Sequence, residues 1–190
     1  MKYIVLYDAC VLYPFSLRDL LVELAMPHYG LFQAKWSLRI EDEWQRNLRK
    51  NLPDIDATML AIIAQKMREA VPDCMVSNYE KLESGLILPD ADDAHVLAAA
   101  IRSKSQAIIT TNLKHFPAAI LAEFDIEVIH PDVFLINQFD LNSAKVLDAL
   151  KNIRARLKRP PYSANQYLER LTVNGLPAFA QKLTEFEHLI

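Results

Sequence analysis

Apolar residues follow two rhythms along the chain. Tyr3-Ile4-Val5-Leu6-Tyr7 is a continuous apolar run that stops at Asp8. Such a run suits a central strand buried on both faces of a sheet. Ala107-Ile108-Ile109-Thr110 and Ile126-Glu127-Val128-Ile129 read as further strands, and Cys74-Met75-Val76 is a shorter candidate. Helical patterns lie between them. Ala9 to Pro14 reads as a turn, and Ser16 to Met26 as a helix stopped near Pro27. Trp36, Ile40, Trp44 and Leu48 recur at every fourth position, which predicts a helix from Trp36 to about Lys50, N-capped by Ser37 and ended by Pro53. Another helix starts at Asp54 or Asp56 and runs to about Ala70, with Ile55, Met59, Ile62, Ile63 and Met67 inward. Helices are also expected from Asp92 to about Arg102, over Pro117 to Glu123, and after Pro131. Strands alternating with helices predict an α/β fold with a parallel sheet flanked by helices.

Beyond Asp140 the pattern is helical only. Asn142 to Lys158 reads as one long helix, Arg159-Pro160-Pro161-Tyr162-Ser163 as a break with a new N-cap, and 163–173 and 177–189 as two short helices. The expected organisation is an α/β domain over 1–140 and a small all-helical C-terminal extension over 141–190.

Composition narrows the chemistry. The chain has 190 residues, 52% of them hydrophobic, enough for a substantial core. Its net charge of −3 carries no global nucleic-acid signature, so a nucleic-acid partner would be held by local cations. Arg39, Arg46, Arg49 and Lys50 on or beyond the Trp36 helix, and Lys114, are candidates. A second cluster is Lys151, Arg154, Arg156, Lys158 and Arg159, which reads as a solvated helix face, an RNA contact or a dock for an acidic partner. With only three glycines, phosphate-cradling loops are not expected. The two cysteines, Cys10 and Cys74, lack metal-type spacing and read as free thiols. No signal peptide and no bilayer-length apolar run is evident, and a soluble, cytoplasmic protein is expected.

The chemistry gathers where strands end. In open parallel sheets, functional groups lie just beyond the carboxyl ends of the strands. Asp8 follows the first strand, and Thr110, Thr111 and Asn112 follow the Ala107 strand. Leu88-Pro89-Asp90-Ala91-Asp92-Asp93 puts three acids at the mouth of the apolar helix Ala94-His95-Val96-Leu97-Ala98-Ala99-Ala100. Capping accounts for one or two of these acids. Asp92 is the expected cap, Asp93 the acid facing the site, and Asp90 an additional contributor. Glu43 lies at the edge of the buried stripe on the Trp36 helix, with Glu41 as the alternative. Converging carboxylates repel, and a hard divalent cation such as Mg²⁺ or Mn²⁺ relieves that repulsion. This points to metal-assisted phosphodiester hydrolysis. His95 reads as structural, Lys114 and His115 as rim residues, and Trp36 and Trp44 as core.

Four segments in order carry a resemblance. They are Tyr7-Asp8-Ala9-Cys10-Val11-Leu12, Trp36 to Leu48 with Glu43, Leu88 to Ala100 with Asp93, and Ile109-Thr110-Thr111-Asn112-Leu113-Lys114-His115-Phe116-Pro117. Over about residues 1–140 the chain resembles PIN-domain ribonucleases of the VapC type, the toxins of bacterial toxin–antitoxin pairs, and its C-terminal helices resemble an extension found in some of them. The resemblance implies Mg²⁺- or Mn²⁺-dependent RNA cleavage. Asp8, Glu43 and Asp93 would bind metal, Asp90 would be an auxiliary ligand, and Asn112 would stand where many members carry Asp. Water would be the nucleophile, leaving 5′-phosphate and 3′-hydroxyl ends. A cognate antitoxin and homodimerisation are implied as well.

Two other readings remain. Asn112 is a weaker ligand than Asp, which keeps open a catalytically weak or inactive PIN-like domain acting by binding RNA or protein. A haloacid-dehalogenase-like phosphatase would want Asp-x-Asp after the first strand, whereas Ala9 and Cys10 follow Asp8.

Overall fold

The structure, a computed structural model, describes residues 2–158 and 160–190. Arg159, part of the expected basic cluster, lies outside the described residues.

The chain opens with β1 (Ile4–Tyr7), a one-turn helix α1 (Ala9–Leu12), which replaces the expected turn, and α2 (Phe15–Leu24). β2 (Gln33–Ser37) leads into α3 (Leu38–Asn51), then α4 (Ala57–Ala70), β3 (Met75–Val76) and the short α5 (Glu80–Glu83). A 3₁₀ turn over Ala91–Asp93 runs into α6 (Ala94–Ser103), followed by β4 (Ala107–Ile109), a 3₁₀ turn over Leu113–His115, α7 (Ala118–Leu121) and β5 (Glu127–Ile129). The C-terminal helices are α8 (Pro131–Leu141), α9 (Ser143–Arg156), α10 (Ala164–Val173) and α11 (Pro177–Leu183), with a final 3₁₀ turn over Thr184–Leu189.

The strands form one parallel sheet in the order β3-β2-β1-β4-β5. The chain builds one side first, through β2 and β3, and then crosses to the other side of β1 as β4. Next to each other, β1 and β4 mark the switch point where crevices open in such sheets. Val5, Leu6, Tyr7, Ala107, Ile108 and Ile109 are fully buried, as their uninterrupted apolarity requires. Alanines make up much of α6, and Ala98, Ala99 and Ala100 have no exposed surface, so this helix lies close against the sheet.

Three expectations about elements are corrected. Trp36 sits on β2, not on a helix stripe: β2 pairs with β1 and β3, and Trp36 stacks on Tyr7 with ring centroids 6.2 Å apart. Ser37 does cap the following helix, its hydroxyl accepting the Ile40 N–H at 3.3 Å. On α4 the buried positions are Leu60, Ala64 and Met67, whereas Met59 and Ile62 are exposed. That helix carries apolar residues on more than one face, so periodicity alone left its orientation open. At the mouth of α6 the cap is Asp90, whose Oδ1 accepts the Asp92 N–H at 3.0 Å; Asp92 is exposed.

The C-terminal helices pack directly on the α/β core. Along α9, Val146, Leu147, Ala149, Leu150 and Ile153 are buried. Lys145, Asp148 and Asn152 meet Tyr29, and Arg156 reaches Asp19 and Glu23 on α2. α9 therefore runs antiparallel to α2. No described helix is long and apolar enough to cross a membrane.

Candidate active site

β1 delivers Asp8 to the switch point. Its backbone N–H donates to Ile109 O of β4 at 3.2 Å, which ties the two strand ends together. The Asp8 side chain is buried, and its Oδ2 accepts the Thr110 hydroxyl (2.6 Å) and the Cys10 thiol (3.1 Å). Thr110 thus orients a site carboxylate as well as ending the strand, and its Oγ1 also accepts the Asn112 N–H at 3.0 Å. Burial and the adjacent Asp8 charge push the Cys10 thiol up to about 12, so at neutral pH it is a neutral donor to Asp8.

Asp93 comes from the turn before α6 and is half-buried. Burial raises its carboxyl above the usual aspartate range. A hydrogen bond from His115 opposes that shift, and the negative charges of Asp8 and Asp90 add to it. Two of the expected acids therefore face Asp93 closely enough to be felt. His115 Nδ1 lies 2.8 Å from Asp93 Oδ2 and 3.7 Å from Asp90 Oδ2. One ligand atom each from Asp90, Asp93 and His115 fall within 4.8 Å of one another, a group that could hold a metal ion. An excess of carboxylate charge on half-buried donors is the arrangement a divalent cation relieves, so the donor set fits one.

Glu43 is half-buried on α3, and its Oε2 lies 3.4 Å from Nε2 of His95, a buried residue of α6. His95 Nδ1 has no hydrogen-bond partner among the described residues. Glu41 is buried instead in a structural role: it accepts the Trp36 indole N–H at 2.8 Å and pairs with Arg68. Burial raises its carboxyl, and the Trp36 and Arg68 contacts oppose the rise.

Sequence reading missed His115 as a neighbour of two site acids. The available signal was a histidine three positions after Asn112, in the loop at the carboxyl end of a strand. Of the expected cations, Arg39 is tied to Glu83 of α5 at 2.9 Å, while Arg46, Arg49 and Lys114 are exposed. In the second cluster Arg154 is occupied with the chain end: its Nε and Nη2 donate to Ile190 O and its Nη1 to Tyr162 O.

Comparison with known proteins gives two matches. Residues 131–185 match the family model described as the VapC50 C-terminal domain. The chain is also 39% identical over 90 residues to the Mycobacterium tuberculosis protein named "Putative ribonuclease VapC50", a match covering 47% of this chain and 53% of that protein. The chain thus spans about half the length of the curated relative it matches. No solved structure matches it. The five-stranded parallel sheet and these two matches agree: the chain has a PIN-like α/β fold and is similar to VapC-type ribonucleases, and its C-terminal helices match the VapC50 C-terminal domain model.

Proposed function

We propose that the chain is a metal-dependent endoribonuclease and the toxin of a toxin–antitoxin pair. The observation that carries the reading is the company of Asp93: a half-buried carboxylate facing the charges of Asp8 and Asp90 beside the end of β4. Asp8, Glu43 and Asp93 are the residues assigned to hold Mg²⁺ or Mn²⁺, with Asp90 and His115 beside Asp93 and Asn112 at the rim. A bound divalent ion would supply positive charge at the scissile phosphate and make water more acidic. Thr110 and Cys10 keep the Asp8 carboxylate fixed through hydrogen bonds at its Oδ2. The His115 hydrogen bond favours the charged form of Asp93 against the burial that raises its carboxyl, and a carboxylate of the cluster takes the proton released by the attacking water. RNA is the substrate, a small antitoxin protein is the partner that covers the acidic crevice, and the chain works as a homodimer in the cytoplasm.

The test is cleavage of end-labelled total RNA by purified protein with Mg²⁺, Mn²⁺ or EDTA, beside Asp93→Asn. Discrete products with 5′-phosphate ends are expected with metal, and the variant should fall to the EDTA level. A 2′,3′-cyclic phosphate product, or cleavage untouched by EDTA, would overturn the mechanism. Tight RNA binding without cleavage under every metal would support the binding-only reading, in which Asn112 marks a weakened centre.

A further inference from the structure

A pocket of about 600 Å³ lies between the first turn of α2 and the C-terminal helices. Its chemistry is the opposite of the crevice. Arg156, Lys158 and Arg170 line it together with the aromatic rings of Phe15 and Tyr162, and its walls hold no acid among the described residues. Arg156 is balanced by Glu23 (2.7 Å) and Asp19 (3.6 Å). The other two cations are not balanced. Lys158 is exposed and has no carboxylate partner among the described residues. Among the described residues Arg170 donates only to neutral oxygens, Ser16 Oγ at 2.7 Å and the Tyr162 hydroxyl at 2.8 Å, and its guanidinium lies 5.5 Å from the Tyr162 ring centre. Both bonds hold the guanidinium in place and leave its charge uncancelled. Phe15 is half-exposed at the mouth.

The pocket stands at the same end of the fold as the crevice. Phe15 follows Asp8 by seven residues, with the single turn of α1 between them. That path keeps the two within roughly 20 Å, a distance a few nucleotides of extended strand can bridge. The antiparallel course of α9 along α2 brings Arg156 and Lys158 to this end.

We propose that this pocket binds single-stranded RNA flanking the scissile phosphodiester, so that the C-terminal helices supply substrate affinity. The proposal rests on the ribonuclease reading above. The acidic crevice repels a polyanion, and affinity for RNA comes mainly from cations on its phosphates. Lys158 and Arg170 meet backbone phosphates, and Phe15 and Tyr162 offer faces on which bases stack. The paired aromatics favour RNA over an acidic peptide, which has no bases to stack.

The test is binding of a fluorescein-labelled single-stranded RNA dodecamer to the full chain in EDTA, so that no cleavage intervenes, over roughly 50 to 200 mM salt. The variants are Lys158→Glu, which changes an exposed side chain, and Lys158→Ala combined with Arg170→Gln. The double variant should weaken binding about tenfold at the low-salt end and flatten the slope of log affinity against log salt by about 1.4, at roughly 0.7 for each phosphate no longer neutralised. Lys158→Glu alone should weaken binding by several-fold with its thermal unfolding unchanged, which guards against a folding defect in the double variant. Wild-type binding with unchanged affinity and slope in both variants would overturn this proposal and leave the nuclease reading standing. Absence of RNA binding by the wild type would overturn both. Polyglutamate binding that falls in the variants while RNA binding does not would assign the pocket to an acidic protein and overturn the RNA proposal.

Discussion

Asp93 and Cys74 show how far surroundings decide what a residue does. Three neighbouring aspartates divide the work at the mouth of α6: Asp90 caps the turn, Asp92 is exposed, and Asp93 faces Asp8 and His115. In the proposed centre His115 would either join the ion or orient Asp93, and in both cases His115→Ala should weaken Mn²⁺ binding by roughly ten- to a hundredfold. Titration calorimetry of the RNA-free protein with manganese chloride measures this, and an unchanged affinity would place His115 outside the centre. The positions of Asp8 and Asp93 were legible in the sequence because one ends a central apolar strand and the other is an acid more than capping of the α6 mouth needs. His115 was not, because its meeting with Asp93 spans 22 positions and depends on the turn at Leu113–His115. Cys74 behaves oppositely to a site residue. Burial, reinforced by the Glu41 charge, pushes its thiol up to about 12. The reactive thiolate is therefore scarce at pH 8 and grows about tenfold for each unit by which the pH rises toward about 12. Alkylation of Cys74 by iodoacetamide at pH 8, followed by peptide mass spectrometry, should be roughly a thousandfold slower in the native chain than in urea.

At the scale of elements, packing partners decided what periodicity could not. β1 and β4 announced themselves as apolar runs, whereas β2 carries Gln33 and Lys35 among its few residues and hid behind the four-residue spacing that begins at Trp36. Only its ladders to β1 and β3 define it. Similarly, nothing local to α4 says that Leu60 rather than Met59 turns inward. One side chain links two elements distant in sequence: Asp132 in the first turn of α8 accepts the N–H groups of Ala178 (3.0 Å) and Phe179 (2.8 Å) at the start of α11. This carboxylate satisfies donors that α11 cannot satisfy itself and sits at the positive end of its dipole. Asp132→Ala should therefore cost about 1–3 kcal/mol. Urea unfolding followed by circular dichroism would show it as a lowered midpoint, and a midpoint equal to wild type would mean that Asp132 does not anchor α11.

For the whole molecule, the cover over α2 decides whether the α/β part stands without the C-terminal helices. α2 is buried on nearly every side: Leu17, Leu20, Leu21 and Leu24 fill one face, and Ser16, Arg18, Val22 and Glu23 on the others are buried too. Burial of those further faces requires cover from a second set of elements. α9 supplies one side of it through Val146, Leu147, Leu150 and Ile153. Removing the cover of those four side chains forfeits on the order of 10 kcal/mol at roughly 2–3 kcal/mol for each. That is comparable to the entire stability of a domain, about 5–15 kcal/mol. The polar anchors go with them, including Arg156 on Glu23 and Arg170 on Ser16. A chain ending at residue 140 should therefore be largely insoluble or bind the dye ANS strongly, with loss of the cooperative unfolding transition seen in the full chain. A soluble, cooperatively unfolding fragment would show that α2 closes on its own core, leaving α9 to α11 as a removable module. If the fragment fails as expected, lost RNA cleavage on deletion says nothing about substrate contact, and only point changes such as Lys158→Glu can separate what these helices hold together from what they bind.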